Sequence, residues 1–354
     1  MNMQRYIKYL HIGLLLVGSS IGYAQTVTDV HFEQVNKQVK ITYTLDEQAD
    51  ISVSISEDGG KTWHAPLKQV SGDVGKQVQP GSKTIYWDVL AEYDQLVGTN
   101  ICFQVTPARD IEKLTFTVNG VSFTMIYVEG GTFMMGATPE QGLFFDDDEK
   151  PVHQVILSDY YIGQYEVTQE LWQTIMGTNP SEYKNGNSYP VEKVNWEECQ
   201  HFISELNSML SGQLEGKHFA LPTEAQWEYA ARGGLKSQGY KYAGSNNLAE
   251  VGWYESNSNG ATHPVGQKLP NELGLYDMSG NVEEWCQDWY GPYSPDKQTN
   301  PQGVSTGVWR VGRGNAYSSY EYFCHVSDRD SAVPDGPFGF GHYEFLGLRL
   351  VLVP

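Results

Sequence analysis

Four short runs in the first third of the chain alternate apolar and polar residues with a period of two: VKITYTL (39–45), DISVSIS (50–56), KTIYWDVL (83–90) and NICFQVTP (100–107). Successive side chains of a strand point to opposite faces, so this period buries one face of a sheet and wets the other. A helix, with 3.6 residues per turn, cannot sort the same pattern into an inside and an outside. Turn-forming stretches, EDGG and SGDVGKQVQPGS, separate the runs at a spacing of roughly ten residues. Residues 26–107 are therefore expected to form an antiparallel β-sandwich of immunoglobulin or fibronectin type.

One turn in this region has its own signature. SEDGGKTW (56–63) matches S-x-D-x-G-x-T-W, the hairpin called an Asp box in sialidase-type propellers. Asp58 is expected to accept turn amides, Gly60 to take a backbone angle that other residues avoid, and Trp63 to pack beneath. Propellers repeat this hairpin and the chain carries it once, so it reads as a structural turn.

The N-terminus reads as a secretory signal. Arg5 and Lys8 precede the apolar run HIGLLLVGSSIG, and Gly22-Tyr23-Ala24 supplies small residues for cleavage after Ala24. The run is too short to span a bilayer, and no cysteine follows it to carry a lipid. The expectation for residues 1–24 is a cleaved signal peptide, with the mature protein secreted, periplasmic or at the cell surface. GSSIG at 18–22, a formal match to a hydrolase elbow, would leave with it.

Charge narrows the partners. Asp and Glu number 43 against 23 Lys and Arg, a net charge of −20. Nucleic acid and anionic membrane surfaces both need a cationic footprint, so neither is expected. The balance suits bound cations, basic partners or plain solubility. The four cysteines, Cys102, Cys199, Cys286 and Cys324, contain no C-x-x-C. An exported protein can form disulfides, but spacing leaves the pairing open. The nine histidines show no HExxH and no paired spacing.

Past residue 109 the texture changes to Gly, Trp and Tyr, with a few helices between long loops. ARDIEKLTF opens a linker placed at 108–118, and a second domain is expected over 119–354. VTQELWQTIMG reads as a short helix. NWEECQHFISELNSML has apolar residues at helical spacing, with Asn195 and Glu198 placed as a capping box. TEAQWEYAARGG begins with Thr223 and Gln226 in the same relation and stops at a glycine pair.

These segments belong to an ordered series: GGTFMMG (130–136), YYIGQYEVTQELWQ (160–173), PVEKVNWEEC (190–199), LPTEAQWEYAARGG (221–234), HPVGQKLPNELGLYDMSGNVEEWCQDWY (263–290), RVGRGNAY (310–317) and LGLRLV (346–351). The series resembles the sulfatase-modifying-factor family, whose founding activity is the formylglycine-generating enzyme. The resemblance implies an α+β domain with little regular secondary structure, related to the C-type lectin fold. The N-terminal sandwich lies outside it.

The family's oxidase holds copper(I) between two cysteine thiolates, the soft ligands that this ion prefers. In this chain the matching stretch is Gly314-Asn315-Ala316-Tyr317-Ser318. Ser318 falls at the first thiolate and Asn315 replaces a serine. The second thiolate position falls within Tyr320 to Phe323, none of them cysteine. A serine hydroxyl is a hard donor that stays protonated at neutral pH, so copper is not expected to bind. Cys324 corresponds better to a structural cysteine, buried or in a disulfide.

The resemblance also implies calcium in the loop YDMSGNVEEW, with Asp277 and Glu284 giving side-chain oxygens and Gly280 and Val282 giving carbonyls. Glu283 would point away from it. The plainer alternative is a tight SGN turn with an exposed acidic pair. A second calcium set would be Asn247, Leu248, Asn257 and Asn259. The acidic run DDDE (146–149) reads as solvated loop. Ser318, Arg313, Asn315 and Trp285 are expected to line the family's cleft.

Two readings of function follow. One is a non-catalytic, calcium-binding recognition or scaffold protein of the cell envelope, with a protein or glycan ligand. The other is a formylglycine-generating-type oxidoreductase acting on a protein or small thiol through an altered metal site.

Overall fold

The structure is a computed structural model of the chain, and it describes residues 27–60, 66–92, 96, 100–108, 113–142, 145–335 and 345–354. The chain divides into two compact units, residues 1–110 and 111–354. The expected signal peptide and Trp63 lie outside the described residues.

The alternating runs form strands as their period requires. In the first unit, β1 (Val27–Val35), β2 (Gln38–Leu45), β3 (Ala49–Ser56), β4 (Val70–Gly72), β5 (Gly75–Val78), β6 (Gly81–Asp88) and β7 (Cys102–Ala108) make two antiparallel sheets, with a short helix α1 (Val89–Glu92) between the last two. Their orders are β1-β2-β6-β4 and β5-β3-β7. One apolar cluster draws on both sheets: Val39, Ile41 and Tyr43 from β2, Ile51, Val53 and Ile55 from β3, with Trp87 and Phe103. In the SEDGG turn Ser56 also acts as an acceptor. Its Oγ takes the Gly60 amide at 2.8 Å and donates to Asp58 Oδ1 at 2.8 Å. Gly60 has φ of 86°, a left-handed angle suited to glycine.

The second unit starts earlier than the linker reading allows. Residues 113–118 are a strand, β8 (Lys113–Val118), paired through its full length with β9 (Val121–Val128). The sequence KLTFTV alternates, and burial of Phe116 and Val118 draws it into the core. The largest sheet runs β13 (His218–Ala220), β19 (Val351–Val353), β12 (Tyr160–Gly163), β9 and β8. A three-stranded sheet holds β10 (Gly131–Met135), β11 (His153–Leu157) and β15 (Gln298–Thr299). A four-stranded sheet holds β17 (Arg329–Ala332), β16 (Arg310–Arg313), β14 (Glu283–Trp289) and β18 (Leu346–Gly347). Long loops join these short strands, the mixed α+β texture anticipated from the sequence.

The helices start and stop where their caps are. α2 (Gln169–Met176) begins at Thr168 and ends at Gly177, φ 75°. α3 (Trp196–Leu210) has the full Asn195/Glu198 capping box, and α4 (Glu224–Ala231) the Thr223/Gln226 one. Gly233 and Gly234, φ 90° and 56°, turn the chain out of α4. α5 (Leu248–Val251) is a single turn. Among the described residues no helix is long and apolar enough to cross a membrane.

Candidate cation site and oxidase cleft

The loop from Asp277 to Glu284 is wound tightly. Asp277, Gly280 and Asn281 all have positive φ, at 59°, 100° and 67°. A Cβ on Gly280 would lie 2.2 Å from the Trp253 carbonyl oxygen, so only glycine fits there. The winding turns carboxylates inward. Glu283 and Glu284 are both buried, which excludes an exposed acidic pair.

Around this loop three buried carboxylates share one guanidinium. Arg349 donates to both oxygens of Glu284, with Nε at 2.9–3.0 Å and Nη2 at 2.6 Å. It spends its other hydrogens on the Gly163 and Tyr276 carbonyls. Trp227 Nε1 adds a third donor to Glu284 at 2.7 Å. Glu284 is thus bound to Arg349 and Trp227, and the acid with unspent acceptor capacity is Asp277. Its Oδ2 accepts the Gly266 amide at 2.7 Å, while its Oδ1 is buried with no partner. Burial, reinforced by the charge on Glu284, pushes the Asp277 carboxyl up to about 6.

Glu166 is the residue that sequence reasoning missed. It enters from the segment before α2 and takes the Asn281 side-chain amide at 2.7 Å and the Val282 backbone amide at 3.0 Å. Burial and the charges of Asp277 and Glu284 raise it well above the ordinary carboxylate range, although Arg349 opposes them. Its signal was a lone Glu in the apolar setting YYIGQYEVT, beside helix α2. Buried acids outnumber the neighbouring bases Arg349 and Lys268, and one carboxylate oxygen is orphaned, the kind of oxygen donors that a hard cation such as calcium takes. Asp277 and Glu166 would hold it, with the Gly280 and Val282 carbonyls within the same loop.

The second expected calcium set does not assemble as free oxygens. Asn247 Oδ1 caps α5 by accepting the Ala249 amide, and the Leu248 carbonyl accepts from Gly252. Asn257 Oδ1 takes the Tyr254 amide while its Nδ2 donates to the Gly252 carbonyl. Asn259 supplies a left-handed turn residue, φ 56°, on the surface. These side chains build the loop itself.

The four cleft residues separate as well. Trp285 is buried in the core with Nε1 donating to the Val194 carbonyl. Arg313 is fully buried, its guanidinium bound to Glu228 and to the Asp328 carbonyl and 3.6 Å from Glu224. Asn315, φ 57°, donates to the Phe323 carbonyl and to Asp328 Oδ2. Ser318 alone is exposed. Arg313 and Asn315 serve structure here.

Cys324 is buried and free, as are Cys102, Cys199 and Cys286. Its thiol sits with Tyr242, Leu248 and Val251, and burial raises it far above the usual thiol range. The structural reading holds for burial, and a disulfide is ruled out in this structure. His325, next in sequence, faces other partners: its ring nitrogens meet Glu149 and the Tyr322 carbonyl. Glu149 is fully buried, so the DDDE run is solvated only in part.

The comparisons place the second unit in a family. The model of the sulfatase-modifying factor enzyme 1-like domain matches residues 115–353. The chaperone protein LppX of Paenibacillus barcinonensis is 36% identical over 56% of this chain and 80% of its own length. The formylglycine-generating enzyme of Thermomonospora curvata is 28% identical over 65% of this chain and 95% of its own. Among solved structures, Treponema denticola variable protein 1 matches with a TM-score of 0.61 and 32% identity, covering 68% of this chain and 99% of that one. The chain belongs to the sulfatase-modifying-factor family.

Proposed function

We propose that the protein is an exported, non-catalytic member of its family, in which an immunoglobulin-like module accompanies a calcium-stabilised domain that recognises a protein or glycan at the cell envelope. The observation that carries this reading is chemical. Where the oxidase needs its first thiolate the chain has Ser318, on the surface, and the segment Tyr320–Phe323 supplies no second. Cys324, the one nearby sulfur, is buried with its proton held tightly. Copper(I) would find no pair of soft ligands in this stretch. The orphaned Asp277 oxygen and the excess of buried acid around Arg349 support calcium. Relatives named as a chaperone and as a variable protein support work other than oxidation.

The test is copper(I) loading followed by incubation with a cysteine-bearing sulfatase-motif peptide under oxygen. No aldehyde should form, in the wild type or in Ser318→Cys, because one restored thiolate still lacks its partner. Aldehyde formed by the wild type would favour the oxidoreductase reading.

A further inference from the structure

Outside the calcium loop, Glu149, His325 and Asp328 bring three ligand-type atoms within 4.8 Å of one another, and all three residues are buried. Glu149 comes from the acidic turn 146–149. The other two come from the segment after β16, which is 176 residues distant in sequence at His325.

The hydrogen bonds fix what each group presents. His325 Nδ1 lies 2.8 Å from the Tyr322 carbonyl oxygen, which can only accept, so Nδ1 carries hydrogen. Nε2 faces both oxygens of Glu149, at 3.1 and 3.0 Å. A neutral imidazole would therefore aim a lone pair at a buried carboxylate, and something positive must lie between them. A proton would balance Glu149 alone. Asp328 would remain a second buried acid that needs a proton of its own, since the side chains of Arg313 and Arg329 pair with Glu228 and Glu224. A divalent cation with neutral imidazole balances both carboxylates at once.

The surroundings have the form of a ligand shell with its supports. Ser327 Oγ donates to Glu149 Oε2 at 2.6 Å, the Asp146 amide to Oε1 at 2.8 Å, and Asn315 Nδ2 to Asp328 Oδ2 at 2.5 Å. An imidazole whose second nitrogen is held by a carbonyl, beside carboxylates that are themselves hydrogen-bonded, is the usual arrangement of metal ligands. Two donors about 2.1 Å from one ion and at right angles lie about 3.0 Å apart, as Nε2 and Glu149 Oε2 do. We propose that Glu149, His325 and Asp328 bind one divalent first-row transition ion, which clamps the acidic turn to the segment around Cys324. Imidazole with carboxylate selects zinc, manganese or iron(II) over calcium or copper(I).

The experiment uses the full chain, stripped with chelator and titrated with zinc and with manganese. Metal content is read after gel filtration, and folding by circular dichroism. Wild type should retain one equivalent. His325→Ala and Asp328→Asn should bind at least about tenfold more weakly, and Ser327→Ala, which disturbs only an orienting bond, about tenfold. Glu166→Gln, at the calcium loop, should bind as wild type. Should the variants misfold, pulsed electron paramagnetic resonance on the manganese-loaded wild type decides, with coupling to one imidazole nitrogen expected. No retained metal, retention unaffected by His325→Ala, or bound manganese without nitrogen coupling would each overturn the proposal.

Discussion

Asp288, on β14, keeps its proton near neutral pH because burial and the neighbouring Glu224 charge push it up to about 7. Its Oδ2 accepts the Glu224 amide at 2.9 Å, the N-terminal amide of α4. Unfolded, the group returns to about 3.9. The native state therefore binds the extra proton between these values, and stability gained from Asp288 grows as pH falls from above 7 toward 4. The slope is at most about 1.4 kcal/mol per pH unit. Asp288→Asn keeps the acceptor and removes the charge. Chemical denaturation at pH 8 should find the variant more stable than wild type, with the gap closing by pH 5. A constant gap would mean that Asp288 is ionised throughout. None of this was legible in DWY as written, because the burial and the charge that shift Asp288 arrive from α4, 64 residues away.

At the scale of elements, what the sequence showed was local. The period-two runs gave β2, β3, β6 and β7, and the capping boxes gave the starts of α3 and α4, since each signal is complete inside a few positions. The loop from Asp277 to Glu284 was legible for the same reason: SGN demands a turn. The partners of its polar side chains were not, because Arg349 reaches Glu284 from 65 residues on and Glu166 reaches Asn281 from 115 residues before. The asparagines of the second set show how alike a capping asparagine and a ligand asparagine look in sequence, since Asn247 caps α5 and Asn257 accepts the Tyr254 amide. The tightness of the loop carries its own test. Gly280→Ala must place a methyl against the Trp253 carbonyl at a left-handed φ, a cost of about 3 kcal/mol or more. Melting should drop sharply for this variant and little for Gly142→Ala, whose Cβ would meet nothing although its φ is also positive. Equal losses would place the cost in backbone angle alone.

The C-terminal unit as a whole has the family's domain with no cysteine at Ser318 or within Tyr320–Phe323, and we propose that a cation among its buried acids stabilises it. Without an ion, Glu166 and Asp277 face Glu284 with one arginine between three carboxylates, an arrangement that burial disfavours. An ion bound only by the native state adds about 2.7 kcal/mol at a hundredfold excess over its Kd. For a unit of this size that is about 5–10 °C in Tm. Glu283 gives the control, since it is buried against Gly312 near Asp328 and Asp330, on a different strand contact from Glu166. The deciding measurement is the melting temperature in calcium and in chelator, for wild type, Glu166→Gln, Asp277→Ala and Glu283→Gln. Wild type and Glu283→Gln should melt higher in calcium than in chelator, and Glu166→Gln and Asp277→Ala should lose that rise; identical melting of the wild type in both buffers would contradict calcium binding by this loop.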